Sequence, residues 1–171
     1  MRTFRQHALG LALFTALAGS AFAQQNNDAV RAGDWSWMEK AARAGTAEVQ
    51  AAQIAASKAT NPKVREYAQK VADEHTKAND ELKSIASSKG INLPTEPDRK
   101  HKSYLKQLEK LTAGSHFDEV YISRAGVIDH QDAVKHFKKG TTEVADAQIK
   151  AFAEKTLPTV QAHLDDAKKL N

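Results

Sequence analysis

The most constraining feature of this sequence is a repeat of apolar residues at steps of three and four, which runs through four long segments. Such spacing places the apolar side chains on one face of an α-helix. No segment alternates polar and apolar residues as a half-buried strand would. The pattern therefore predicts an all-α protein in which four long helices pack their apolar faces against one another.

Turn and capping residues divide the helical pattern into its segments. Asn61-Pro62 separates the first two helices, because Asn caps a helix start and Pro fits its first turn. Gly90 ends the second helix and Asp146 begins the fourth. The connector between the second and third helices contains a short amphipathic segment at about 98–111. We predict a four-helix bundle with a short extra helix docked across it from this connector.

The first residues are typical of a secretory signal peptide. Two arginines precede a short apolar run, and Ala21-Phe22-Ala23 supplies the small residues that a signal peptidase recognises. We expect cleavage before Gln24, which removes residues 1–23 and leaves 24–171 as one domain in the periplasm or outside the cell. The apolar run is shorter than the ~20 residues of a membrane span, so we expect no transmembrane segment after cleavage.

The chain contains no cysteine, which excludes disulfides, thiolate metal ligands and haem attachment through CxxCH. Its stability must therefore come from a packed core. Once the signal peptide is removed, basic and acidic residues nearly balance. This balance and the expected export both argue against nucleic acid as a partner. The sequence identifies neither a protein partner nor an oligomeric state.

One residue able to bind a metal interrupts the apolar face of each long predicted helix. The two members of each helical hairpin lie at matched distances from their turn, and each helical residue rises ~1.5 Å. If both turns lie at one end of the bundle, the two pairs differ in height by about three residues, ~4.5 Å. If the connector crosses the bundle, they differ by about one residue. Both topologies predict one polar layer at mid-bundle, formed by Glu48, His75, His130 and His163.

Imidazole and carboxylate groups bind divalent transition metals, and bundle proteins build metal sites from side chains on facing helices. We therefore predict that the layer binds one divalent transition metal, with zinc, manganese, iron and copper as candidates. The alternative is a closed hydrogen-bond network that fixes the helix register in a non-enzymatic envelope module. Arg124 would favour this alternative by pairing with Glu48 or Asp80.

Several motifs resemble those of one family of exported bacterial proteins. The family is catalogued as domain of unknown function four-one-four-two, and many of its members carry an outer-membrane label. The resemblance spans about 35–170 and implies a ferritin-like four-helix bundle without an established activity. The residues that carry it are Glu48, Lys63-Val64-Arg65-Glu66-Tyr67-Ala68, Asp73-Glu74-His75-Thr76-Lys77-Ala78-Asn79, Phe117-Asp118-x-x-Tyr121, His130 and Leu157-Pro158-x-x-x-x-His163-Leu164.

The predicted layer departs from the centre of di-iron ferritins. Those proteins carry a Glu on two helices and Glu-x-x-His on the other two. Here Ala72 and Val160 occupy the positions three residues before His75 and His163. Too few carboxylates remain for that centre, so we predict a mononuclear site. Its expected roles are metal handling or redox and stress defence in the envelope, and the sequence does not decide whether the protein is an enzyme.

Overall fold

Five helices make up most of residues 30–171, the part of the chain that the computed structural model describes. This range contains no β-strand, which confirms the prediction of an all-α protein. The predicted signal peptide, residues 1–23, lies outside it. None of the described helices combines the length and the apolar character that a membrane crossing requires. The helices are α1 (Ala32–Lys58), α2 (Pro62–Ser88), α3 (Arg99–Lys110), α4 (115–143) and α5 (Ala147–Leu170).

The fourth helix, α4, changes its winding twice. Ser115–Tyr121 is α-helical, Ile122–Asp129 is π-helical, and His130–Glu143 is α-helical again. A π-helix bonds residues five apart along the chain, so its turn is wider than an α-helical turn. The wider turn presents neighbouring residues to the core in pairs, for example Tyr121 with Ile122. The regular apolar steps of the sequence did not predict this segment.

The helix ends confirm the predicted boundaries. Asn61 and Asp146 each accept a hydrogen bond of 2.9 Å from the backbone N–H two residues further on. Gly90 follows α2 with a φ of 70°, a left-handed conformation that favours glycine. Arg99–Lys110 is the short helix expected in the connector, and it packs into the core through Leu105 and Leu108.

The connector from α2 to α4 crosses the length of the bundle, so the two tight turns lie at opposite ends. The Asp118 carboxylate, near the start of α4, accepts hydrogen bonds of 2.8 to 3.2 Å from the backbone of the turn at 60–61. At the other end, the Asp34 carboxylate of α1 accepts hydrogen bonds of 3.2 and 2.9 Å from the backbone of the turn at 145–146. The crossing topology is therefore the one observed.

Two apolar clusters fill the bundle, one towards each end. The first surrounds Tyr67 and Phe117, and the second surrounds Trp37 and Phe152. Along α2, His75 lies between Val71 of the first cluster and Leu82 of the second. The polar layer predicted from the sequence is thus a middle layer between two apolar ones.

Candidate metal centre

Three histidines from three helices converge between the apolar clusters. His75 of α2, His130 of α4 and His163 of α5 are 6%, 1% and 0% exposed. Their ring centroids lie 5.1 to 5.4 Å apart, and one nitrogen of each ring lies within 4.8 Å of the other two. The shortest approach, between His75 Nε2 and His163 Nδ1, is 3.2 Å. The structure therefore gathers three of the four predicted residues into one group of nitrogen donors.

Carboxylates hold the outer nitrogens of two of these histidines. His75 Nδ1 donates to Glu48 Oε2 at 3.0 Å, and His163 Nε2 donates to Glu74 Oε2 at 2.6 Å. The Glu48 side chain on α1 is 6% exposed, whereas that of Glu74 on α2 is 39% exposed. An ionised carboxylate can only accept hydrogen bonds. Each of the two rings therefore carries a proton on its outer nitrogen, and a neutral ring then offers the lone pair of its inner nitrogen, His75 Nε2 or His163 Nδ1.

A backbone carbonyl holds the outer nitrogen of His130. Its Nδ1 donates to the oxygen of Ala125, five residues earlier, at 2.8 Å. The backbone N–H of His130 bonds to the oxygen of Val127 instead. His130 Nε2 is buried and has no hydrogen-bond partner among the described residues. This nitrogen is therefore the one that His130 can offer to a metal.

The pKa values in the layer reflect burial and the contact between charges. Burial raises the pKa of Glu48, but the neighbouring imidazoles, His75 first among them, outweigh it and lower the pKa to about 2. Burial and the adjacent imidazoles lower the pKa of His163 to about 3, and burial also lowers the pKa of His130. At neutral pH Glu48 is thus ionised, while His130 and His163 are neutral bases.

The geometry of the three imidazoles can hold a metal ion. Nitrogen lone pairs that face one another at short range repel, and a cation between them removes the repulsion. Tetrahedral zinc binds nitrogen at 2.0–2.1 Å, which separates two ligating nitrogens by about 3.3 Å. The distance of 3.2 Å between His75 Nε2 and His163 Nδ1 agrees with that separation. A cation would also compensate the buried charge of Glu48, which is costly when isolated.

Arg124 does not enter the layer. Its guanidinium lies 3.0 Å from Asp129 Oδ1 and stacks over the Tyr104 ring, 5.8 Å from its centroid. The structure therefore pairs Arg124 with Asp129, and not with Glu48 or Asp80 as the alternative considered from the sequence required. Arg124 therefore does not compete with His75 for the Glu48 carboxylate.

Glu48 belongs to the layer predicted from the sequence, whereas Glu74 does not. The structure places Glu48 against the outer nitrogen of His75, outside the group of three converging nitrogens. Glu74 precedes His75 on α2 and lies off its apolar face, where acidic residues are usually solvated. The sequence feature that could have indicated Glu74 was its height along α2, because His163 lies at the same height on α5. Only the packing of these two helices shows that the two side chains meet.

The sequence profile of domain of unknown function DUF4142 matches residues 19–170 of the chain. The chain belongs to this family. The DUF4142 match includes all five helices and every residue of the polar layer, and it confirms the resemblance that the motifs indicated. No curated protein sequence matches the chain.

Among solved structures, this DUF4142 chain is similar to the crystal structure of a DUF305 fragment from Deinococcus radiodurans. The TM-score is 0.72 over 82% of this chain and 96% of that chain, with 11% sequence identity. At this identity the similarity shows a shared helical fold alone. The function must therefore be argued from the site itself.

Proposed function

We propose that this protein binds one divalent transition metal through His75, His130 and His163. The observation that carries the proposal is the use of both nitrogens of each ring, one facing the centre and the other bonded to oxygen. Metal-binding histidines use their second N–H in this way, because it fixes the ring orientation and raises the basicity of the ligand. We assign Glu48, first predicted as a ligand, to this outer role together with Glu74.

The donor set narrows the candidate metals. Imidazole suits zinc, copper and iron, whereas manganese prefers oxygen ligands. Two outer carboxylates, from Glu48 and Glu74, balance the charge of a divalent ion held by three neutral imidazoles. Three histidines also leave a fourth coordination position, the arrangement that catalytic zinc sites use. With zinc the expected role is metal handling, and with iron or copper it extends to redox or stress defence.

The proposed compartment is the periplasm or the cell exterior. The support is the basic start, the apolar run and the Ala21-Phe22-Ala23 sequence, all of which lie outside the described residues. A donor set without thiols suits such a compartment, because oxidising conditions convert thiolates to disulfides and leave imidazoles unchanged.

Isothermal titration of the chelator-treated protein with Zn²⁺, Cu²⁺, Fe²⁺ and Mn²⁺ tests the proposal. We expect one equivalent to bind to the wild type, and His75→Ala or His163→Ala to abolish binding. His116→Ala is the matched control, because His116 is an exposed histidine at the start of α4. Affinity should weaken only well below pH ~6.5, because imidazole must be deprotonated to bind a metal and burial lowers the pKa of His130 and His163. Equal affinities for the wild type and the variant without all three histidines would refute the site.

A purely structural network is the second candidate function. The 3.2 Å between His75 Nε2 and His163 Nδ1 also fits a hydrogen bond, in which one proton takes the place of the metal. The ionised Glu48 would then balance an imidazolium on His75. Under this function, added metal should leave the melting temperature of the wild type unchanged.

A further inference from the structure

A cleft with a volume of about 560 Å³ leads from the protein surface to the polar layer. Glu48 and His75 belong to its inner end, and Asp98 and His101 line it beside the start of α3. The volume is many times the ~30 Å³ that one water molecule occupies in the liquid. A hydrated metal ion therefore fits within the cleft.

Small side chains on α1 and α2 keep the cleft open above the layer. Ala44 lies one turn before Glu48 and therefore shares a helix face with it. Ala78 lies three residues after His75 and shares a face of α2 with that histidine. Because both are alanines, neither covers the Glu48–His75 pair. Larger residues at these two positions would close the passage without touching the three nitrogens.

The exposure of the layer residues shows which of them the cleft reaches. Glu48 and His75 are each 6% exposed and line the cleft. His130 and His163, at 1% and 0%, lie behind them and do not line it. On the opposite side, Glu74 covers His163 through its hydrogen bond of 2.6 Å. The Glu48–His75 pair is therefore the boundary between the cleft and the nitrogen donors.

The charges that line the cleft suit a cation at its inner end. None of the five lysine and arginine residues in the lining is buried (Lys40, Arg43, Lys100, Lys135 and Lys139), whereas the two carboxylates buried in the lining belong to Glu48 and Asp129. Asp129 is paired with Arg124 at 3.0 Å. Glu48 thus supplies the negative charge that a cation meets at the floor, where attraction is stronger than at an open surface.

We propose that this cleft is the route by which the metal reaches the three histidines, with the Glu48–His75 pair as its inner gate. The inference rests on the metal site proposed above. A hydrated divalent ion exchanges water for the Glu48 carboxylate, and rotation of the His75 ring then transfers it to His130 and His163. Release follows the same path in reverse, so an obstruction of the cleft changes both rates and leaves the equilibrium constant unchanged.

Replacement of Ala44 or Ala78 by leucine tests the route, because either substitution fills the cleft above the gate. Zn²⁺ uptake is followed by stopped-flow competition with a chromophoric chelator, and Zn²⁺ release by transfer to excess chelator. We expect Ala44→Leu and Ala78→Leu each to slow both rates by about tenfold or more, with Kd within about threefold of the wild type. Ala162→Leu is the matched control, because Ala162 is an exposed alanine next to His163 and outside the cleft.

The route is overturned if both leucine variants still bind Zn²⁺ and their rates of Zn²⁺ uptake and release are unchanged. That result would indicate entry on the Glu74 side. A weaker Kd with an accelerated release would also overturn it, since the lining would then belong to the binding site. Circular dichroism verifies the fold of each variant, and the two substitutions lie on different helices. If the wild type takes up no Zn²⁺ at equilibrium, the metal site itself fails and the route fails with it.

Discussion

Replacing Glu48 by glutamine separates the metal site from the structural network, because the two functions predict opposite changes in the metal-free protein. The carboxamide retains an oxygen that can accept from His75 Nδ1, now at 3.0 Å from the carboxylate, but it removes the buried charge. Desolvation of a buried carboxylate costs several kcal/mol, and only a well-placed cation repays it. The imidazoles that lower the pKa of Glu48 can supply this compensation only while they carry a proton. If the compensating cation is the metal and the imidazoles are neutral, the metal-free Glu48→Gln protein should be at least as stable as the wild type.

With metal present, the same variant should be less stable than the wild type. Loss of an outer partner weakens metal affinity by about 10–100-fold. At 100 times the wild-type Kd, metal stabilises the wild type by about 2.7 kcal/mol and a 100-fold weaker variant by about 0.4 kcal/mol. For a domain of this size, 1 kcal/mol shifts Tm by about 3–5 °C. The metal-induced rise in Tm should therefore fall from about 8–13 °C in the wild type to about 1–2 °C in Glu48→Gln for a 100-fold loss of affinity, and to about 4–7 °C for a 10-fold loss.

Thermal melts followed by circular dichroism, with chelator and then with Zn²⁺, measure both effects. Glu81→Gln is the matched control, because Glu81 pairs with Lys155 at 2.8 Å on the protein surface, and it should change neither melt. Two results together would refute the metal site. The free energy of unfolding of the metal-free Glu48→Gln protein would fall by about 3 kcal/mol or more, as expected when a buried ion pair is broken, and Zn²⁺ would change the melting temperature of neither protein.

Three further predictions concern packing, pH and processing. Gly140→Ala should destabilise the protein by about 1–3 kcal/mol in a denaturant titration although alanine favours helix, because its Cβ would lie 2.6 Å from the Trp37 ring. Gly33→Ala, with no neighbouring atom within 4 Å, should be neutral or stabilising. Burial lowers the pKa of His136 to about 4, below the ~6.5 of an unfolded chain, so its contribution to stability is complete above pH ~6.5 and is lost as the pH falls towards 4. The unfolding free energy of the wild type should therefore fall by about 2 kcal/mol more than that of His136→Phe between pH ~7 and ~4.5. Mass spectrometry of the exported protein should find Gln24 at its N-terminus, and retention of residues 1–23 would contradict the predicted cleavage.

The sequence predicted the helix boundaries and the polar layer because both depend on local rules. Asn61, Gly90 and Asp146 act through hydrogen bonds and backbone conformations within a few residues of themselves. Heights along the helices follow from a constant rise per residue, so counting from these boundaries brought His75, His130 and His163 to one level. Their convergence between the apolar clusters required no knowledge of long-range contacts.

The topology and the outer partners could not be predicted in the same way. Counting gave similar heights for either direction of the connector, and the contacts that decide it join Asp118 and Asp34 to turns far away in sequence. Glu74 resembles any exposed acidic residue until α2 packs against α5. The cleft likewise depends on how four helices and the connector surround Ala44 and Ala78. These features arise from tertiary packing, which periodicity and capping residues do not encode.

The π-helical segment of α4 connects backbone geometry to the chemistry of His130. An uninterrupted α-helix would satisfy the apolar steps between Phe117 and Phe137, and such a helix would bond the Ala125 carbonyl to the N–H four residues later. In the observed winding that carbonyl accepts from His130 Nδ1, five residues later, at 2.8 Å. The hydrogen bond fixes one tautomer and leaves His130 Nε2 as a lone-pair donor. Apolar packing alone does not require this arrangement, whereas the proposed metal site requires a nitrogen with a fixed orientation, and π-helical segments are frequent at functional sites.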